Sequence, residues 1–233
     1  TNPEGSADMS PRINWKYEEI YSLIHQLQPQ CLVGNNHHLE PLPGEDFQMF
    51  EKDLPGQNKS GLSYQAASES LPLETCETIN ASWGYNITDN NYKTVKDLIH
   101  YLVNAAGLNT NFLLNVGPLP NGKIQQEFID TLTAIGNWLQ KNGETIYGTR
   151  GNIIAPQEWG VLTGKEKSRY VHILKRPGNN YILLPGLIDK INHARLFSNK
   201  KEIRYKQFPE GTFIYLNDLS WDDTDTIIEL QIR

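Results

Sequence analysis

The chain has 233 residues, 38% hydrophobic and 21% charged, long enough to bury a core without disulfide staples. Its 21 Lys and Arg against 27 Asp and Glu leave a formal charge of -6, which gives no electrostatic case for nucleic acid or an anionic membrane. No apolar run approaches the roughly 20 residues of a bilayer span, and two cysteines, Cys31 and Cys76, exclude a disulfide scaffold; each is expected to be a buried free thiol.

Thr1 to Ser6 carry neither a basic start nor an apolar stretch, so no signal peptide is expected within them. From Trp15 to Gln28 the spacing of Ile20, Leu23, Ile24 and Leu27 predicts an amphipathic helix, stopped by Pro29. Cys31-Leu32-Val33-Gly34 then reads as a short strand buried on both faces. Asn35 to about Asn91 is rich in Gly, Pro, Ser and Asn with little periodicity and is expected to be a long loop, either functional or disordered. A second helix is expected from Thr94 to Ala106, stopped by Gly107. A buried strand follows at Asn111–Val116, and a third helix carries Phe128, Leu132, Ile135 and Leu139 on one face before Gly143. Helix and buried strand alternating in this way is the rhythm of a parallel α/β array, open or closed.

After about Tyr147 the texture changes. Short β-rich segments at Val161-Leu162, Tyr170–Leu174, Tyr181–Leu184, His193–Phe197, Thr212–Leu216 and Thr226–Ile232 are separated by turn signals, as in a sandwich. The expected division is therefore 1–148 for the α/β part and 149–233 for an all-β domain.

Two stretches carry a family resemblance. Phe112-Leu113-Leu114-Asn115-Val116-Gly117-Pro118 is followed by Gly136-Asn137-Trp138-Leu139, Asn142-Gly143-Glu144 and Ile146-Tyr147. This resembles the LLNVGP and G-x-W-L-x-x-N-G-E-x-I-Y signature of the alpha-L-fucosidases of glycoside hydrolase family 29. A looser match runs through Phe47–Glu51, Leu73-Glu74-Thr75-Cys76 and Ser82-Trp83-Gly84-Tyr85-Asn86. The resemblance implies an α/β fold, the late strands and helices of a (β/α) barrel followed by an all-β sandwich domain. It also implies release of terminal alpha-L-fucose by a retaining double displacement. The family's nucleophilic Asp segment is not found, so it is expected upstream of Thr1, with this piece inactive by itself.

Retaining hydrolysis needs two carboxyl groups roughly 5 to 5.5 Å apart, one a nucleophile and the other a general acid/base. The resemblance gives the second role to Glu51, against the alternative of a solvated loop charge. Glu74 is expected to organise the pocket and, with Glu77, competes for the acid role; Glu45 and Glu69 rank below them. Trp83 is expected to stack on the deoxy sugar or else to be core, and Tyr85 to be structural. Asn35, Asn36, His37 and His38 follow the buried strand at a place where the resemblance implies polar side chains, often with an Arg, facing the sugar. No Arg is present here, so the contacts are expected from Asn or His, with Asn36 and His37 the candidates. Adjacent His37 and His38 on a strand point to opposite faces and lack an acidic partner at useful spacing, so no metal is expected, and no cofactor. The partners implied are a fucosylated oligosaccharide or glycoconjugate and the upstream half of the catalytic domain, with no nucleic acid and no membrane insertion. The setting implied is extracytoplasmic: periplasmic, secreted or lysosomal. A non-catalytic sugar-binding protein on the same framework is the other functional class, and the all-β domain is expected to brace the barrel.

Overall fold

The computed structural model describes residues 14–233; the Thr1–Ser6 stretch lies outside them. The chain divides into two compact units, one running through Thr78 and including Thr110–Asn115, the other made of Ile79–Asn109 and Val116–Arg233.

In the first unit, helix α1 (Tyr17–Leu27) forms where the spacing predicts and ends before Pro29. Its aliphatic stripe is nevertheless open: Ile20, Leu23 and Leu27 are exposed, and the buried residue is Tyr21. Polar chemistry draws that side chain in, because its hydroxyl donates to the buried Glu45 carboxylate at 3.1 Å and its ring stacks on Tyr17. Strand β1 (Gly34–Asn35) starts later than expected and Cys31 is exposed rather than buried. The Cys31 N–H closes a turn on the Gln28 carbonyl at 2.9 Å, which delays the strand.

The expected long loop is not structureless. It contains β2 (Phe47–Glu51) and β3 (Leu73–Thr78), and β4 (Thr110–Asn115) follows where a buried strand was predicted. The four strands form one sheet in the order β1-β2-β3-β4, every neighbour parallel. Parallel pairing brings the C-terminal ends of all four to one edge, so residues at those ends gather without being near in sequence.

The second unit opens with α2 (Val95–Gly107), capped by the Thr94 hydroxyl, which accepts the Asp97 N–H at 3.1 Å. Helix α3 (Gln126–Asn142) runs into a single 3₁₀ turn, Gly143–Thr145. Two antiparallel sheets complete the unit. One has the order β5-β6-β11-β8, with β5 (Gly160–Lys165), β6 (Ser168–Ile173), β11 (Thr226–Ile232) and β8 (Ile191–Leu196). The other is β7-β10-β9, with β7 (Tyr181–Pro185), β10 (Gly211–Tyr215) and β9 (Tyr205–Phe208). All six predicted β segments are strands, and β9 is an addition. Val171, Ile173, Leu196, Ile228 and Leu230 of the first sheet share one core with Ile182, Leu184 and Ile214 of the second, as two stacked sheets require. No helix among the described residues is long and apolar enough to cross a membrane.

Candidate active site

Paired residues of a parallel ladder project to the same face. Glu51 lies opposite Cys76, Met49 opposite Glu74, and Glu74 opposite Asn111. Glu51, Glu74 and Cys76 therefore share one face of the first sheet, and Glu51 is the last residue of β2, a strand end rather than the loop position expected.

The Glu51 carboxylate is 20% exposed, open enough to exchange a proton. Its Oε2 accepts from the Asn36 amide at 2.6 Å and lies 3.7 Å from Nε2 of His38. Two further atoms of these neighbours, Asn36 Oδ1 and His38 Nδ1, are buried and make no hydrogen bond among the described residues. Buried polar atoms without a partner are uncommon and mark places where a ligand or water is expected. Left-handed backbone at non-glycine residues brackets the group: His38 has φ +60° and Lys52, directly after Glu51, has φ +57°. Such conformations cost energy and concentrate at functional positions. Burial pushes the His38 ring below the ordinary imidazole pKa, against the pull of the Glu51 charge in the other direction. Burial also raises the Glu74 carboxyl, in the sense that favours its protonated form.

His37 is turned away from Glu51. Its Nδ1 accepts the Leu39 N–H at 3.0 Å, so Nε2 carries the proton and donates to Glu45 at 2.9 Å. Glu45 also takes the Tyr21 hydroxyl and, through Oε2, the Leu42 N–H at 3.0 Å. Tyr21, which receives the Asn35 amide at 2.6 Å, is pushed up to about 12 chiefly by burial. This network fixes the segment between β1 and β2 that carries Asn36 and His38. Glu77, the other competitor, is buried and accepts the Thr78 N–H at 2.7 Å, whereas Glu69 is exposed. His38 and Asp53 complete the local set with Glu45, which the sequence offers only as a lower-ranked acid. The adjacent histidines follow β1 rather than lying on it, and each meets a carboxylate, His37 at Glu45 and His38 at Glu51, where sequence spacing offers an acidic partner to neither.

Asp53 holds the segment after Glu51. Its carboxylate accepts Lys59 N–H at 2.8 Å and the Ser60 hydroxyl at 2.5 Å, and its carbonyl accepts the Thr75 hydroxyl of β3 at 2.6 Å. Burial raises its pKa, but the hydrogen bonds from Ser60 and Lys59 outweigh that and the net shift is downward. A depressed folded-state pKa contributes stability that is complete above the unfolded value of about 3.9 and is lost as pH falls through the folded one. Asp53→Asn is thus expected to cost about 2 kcal/mol at pH 6. The gap to the unmodified protein should stay constant as pH is lowered to about 3.9 and begin to narrow only below it, and a gap that closes above that pH would contradict the assignment.

Cys76 is buried on the same face; burial, reinforced by the Glu51 charge, pushes its thiol up to about 11. A maleimide should accordingly label Cys31 in the native protein and reach Cys76 only in denaturant, as counted by mass.

In the second unit, Trp83 is 37% exposed and Tyr85 38%. Their segment is tied by Asp89, which accepts the Ser82 hydroxyl at 2.7 Å and the Ala81 N–H at 3.0 Å, bonds that hold its carboxyl below the usual range. The glycine of Val116-Gly117-Pro118 meets the same segment: a Cβ there would sit 2.6 Å from the Gly84 carbonyl carbon.

A family model described as alpha-L-fucosidase matches residues 4–144, more than half of the chain. The chain belongs to the alpha-L-fucosidase family. It is 31% identical over 236 residues to the tissue alpha-L-fucosidase of Rattus norvegicus, covering 86% of this chain and 51% of that one. With the plasma alpha-L-fucosidase of Homo sapiens it shares 36% over 121 residues, 48% of this chain and 26% of the relative. Among solved structures, alpha-L-fucosidase isoenzyme 1 from Paenibacillus thiaminolyticus is 33% identical with a TM-score of 0.78, over 98% of this chain and 56% of that one. The chain thus spans about half or less of the length of these relatives. In this fucosidase fold the parallel strands and their helices are the late part of a (β/α) barrel, and the antiparallel sheets are the β-sandwich.

Proposed function

We propose that the protein releases terminal alpha-L-fucose from glycans with net retention, and that Glu51 is the general acid/base. The observation that carries the residue assignment is the setting of Glu51: a partly open carboxylate at the C-terminal end of a parallel strand, hydrogen-bonded by Asn36 and flanked by buried polar atoms with no partner. In a (β/α) barrel that end of the strands is where catalytic groups collect. The carboxylate that attacks the anomeric carbon is the Asp expected upstream of Thr1, forming a fucosyl-enzyme intermediate that water, deprotonated by Glu51, then cleaves.

In this reading Asn36 and Glu74 contact the sugar and Trp83 offers its ring to the apolar side of the deoxy sugar. His37 supports Asn36 through the Glu45 network, and residues 1–148 belong to the catalytic barrel with 149–233 as the sandwich domain. The substrate is a fucosylated oligosaccharide or glycoconjugate, and the setting is extracytoplasmic. The test is hydrolysis of an aryl alpha-L-fucoside by the complete polypeptide, with the first-formed fucose followed by proton NMR. The alpha anomer should appear first; initial beta anomer would overturn the retaining mechanism, and tight binding without turnover would favour a non-catalytic sugar-binding protein.

A further inference from the structure

The overall charge of -6 conceals a strong asymmetry. Residues 165–206 hold eleven Lys or Arg against three acidic residues, so this stretch is formally +8 and the remainder of the chain -14. The stretch covers β6 to β9 and ends on the sheet β7-β10-β9, whose inward residues Ile182, Leu184 and Ile214 fill the sandwich core. Its outward face carries a row of aromatic rings. Tyr181 on β7 lies 5.6 Å from Phe213 on β10, and Phe213 lies 5.7 Å from Phe208 on β9, centroid to centroid. Tyr181 and Phe208 remain 40% and 41% exposed, an unusual outlay of aromatic surface on the outside of a sandwich.

Cations are interleaved with the rings. Lys206 sits 4.7 Å over Phe208 and Arg204 4.7 Å over Tyr215. At the Tyr181 end the face opens into a cleft of about 350 Å³, lined by Lys175, Arg176 and Asn179 with one carboxylate, Glu158. Arg176 is set in place by stacking over Trp221 at 4.8 Å. None of Lys175, Arg176, Arg204 and Lys206 makes an ion pair among the described residues.

We propose that this face is a docking surface for an acidic polysaccharide, one bearing sulfate esters or carboxylates. The rings are not coplanar, Tyr181 being tilted 52° and Phe208 84° to the Phe213 between them, so each exposed ring offers its own stacking place for the apolar face of a sugar, and the cations beside them, which make no ion pair, suit anionic substituents. The choice of a glycan over another polyanion leans on the fucosidase reading. The binding itself does not require catalysis, so failure here and failure of hydrolysis are separable.

The test is retention of the intact protein at low salt on immobilised dextran sulfate, immobilised polygalacturonate and unmodified dextran. We expect retention on one or both acidic matrices and not on dextran; the acidic matrix retained longer names the preferred anion. Reversal of two exposed charges, Arg176→Glu with Lys206→Glu, should weaken retention about tenfold, while Lys141→Glu on α3 should change it less than twofold. Tyr181→Ala should lose about threefold to tenfold through stacking alone. Equal loss in the Lys141 variant would reduce the effect to bulk charge and overturn the assignment. So would equal retention on dextran, stronger binding of a single-stranded oligonucleotide, or a dimer in sedimentation that Tyr181→Ala dissociates.

Discussion

Replacing Glu51 with alanine in the complete polypeptide is expected to lower kcat on unactivated fucosides by about 10²- to 10⁴-fold, the usual worth of a general acid/base. Leaving-group dependence makes the result diagnostic. A dinitrophenyl fucoside departs without protonation, so the first step should survive and the fucosyl-enzyme should accumulate for want of a base to activate water. Azide needs no such base; it should restore turnover and yield a fucosyl azide of retained anomeric configuration. Nearly full activity in Glu51→Ala would remove the assignment. If azide rescued Glu74→Ala instead, that half-buried carboxyl, whose pKa is raised by desolvation, would be the acid.

The helices and β4 are legible in the sequence because their apolar spacing is uninterrupted and a proline or glycine marks each C-terminal end: Pro29, Gly107, Gly143 and Gly117-Pro118. Strands β2 and β3 are not, for a physical reason. Leu73-Glu74-Thr75-Cys76-Glu77-Thr78 is buried almost throughout and yet mostly polar. Its side chains are satisfied locally: Thr75 donates to the Asp53 carbonyl at 2.6 Å, and the Cys76 thiol to the Phe50 carbonyl at 3.6 Å. In β2, Gln48 is 3% exposed and uses both ends of its amide, donating to the Ala66 carbonyl and accepting the Ser68 N–H. Periodicity counts apolar residues, and a strand whose interior is built on paired polar groups is invisible to it. The candidate site inherits the same difficulty: Glu45 and His37 meet only once the segment between β1 and β2 has folded back.

The family signature divides in the structure. Gly117 lets its backbone approach Gly84 and Tyr85, on the Trp83 segment. Asn142-Gly143-Glu144-Thr145 serves the sandwich instead. Glu144 accepts the Tyr170 hydroxyl of β6 at 3.0 Å, and the Thr145 carbonyl accepts the Thr163 hydroxyl of β5 at 2.6 Å. Sequence identity alone cannot separate a pocket-shaping glycine from a turn that seals the outer face of a sheet. Hydrogen bonds do.

That seal leads to the largest expected loss of stability. Thr163 spends its only proton on Thr145, so its oxygen faces the His172 Nε2 at 3.1 Å as an acceptor. The opposite ring nitrogen, Nδ1, lies 2.7 Å from the Asp225 carboxylate, and the His172 and Asp225 side chains are both fully buried. Asp225→Ala would leave Nδ1 of a buried imidazole without its partner and a void beside it, at a cost of about 3 to 5 kcal/mol. For a chain of this size that corresponds to a melting temperature lower by roughly 10 °C or more. Asp225→Asn keeps the shape and can turn its amide oxygen to Nδ1, so it should lose no more than about half as much. Trp159 and Trp221 lie in or against the sandwich core and report its unfolding by fluorescence. A double-mutant cycle with His172→Ala should show coupling of at least about 1 kcal/mol. Additive losses would mean that the pair is packed together without being bonded.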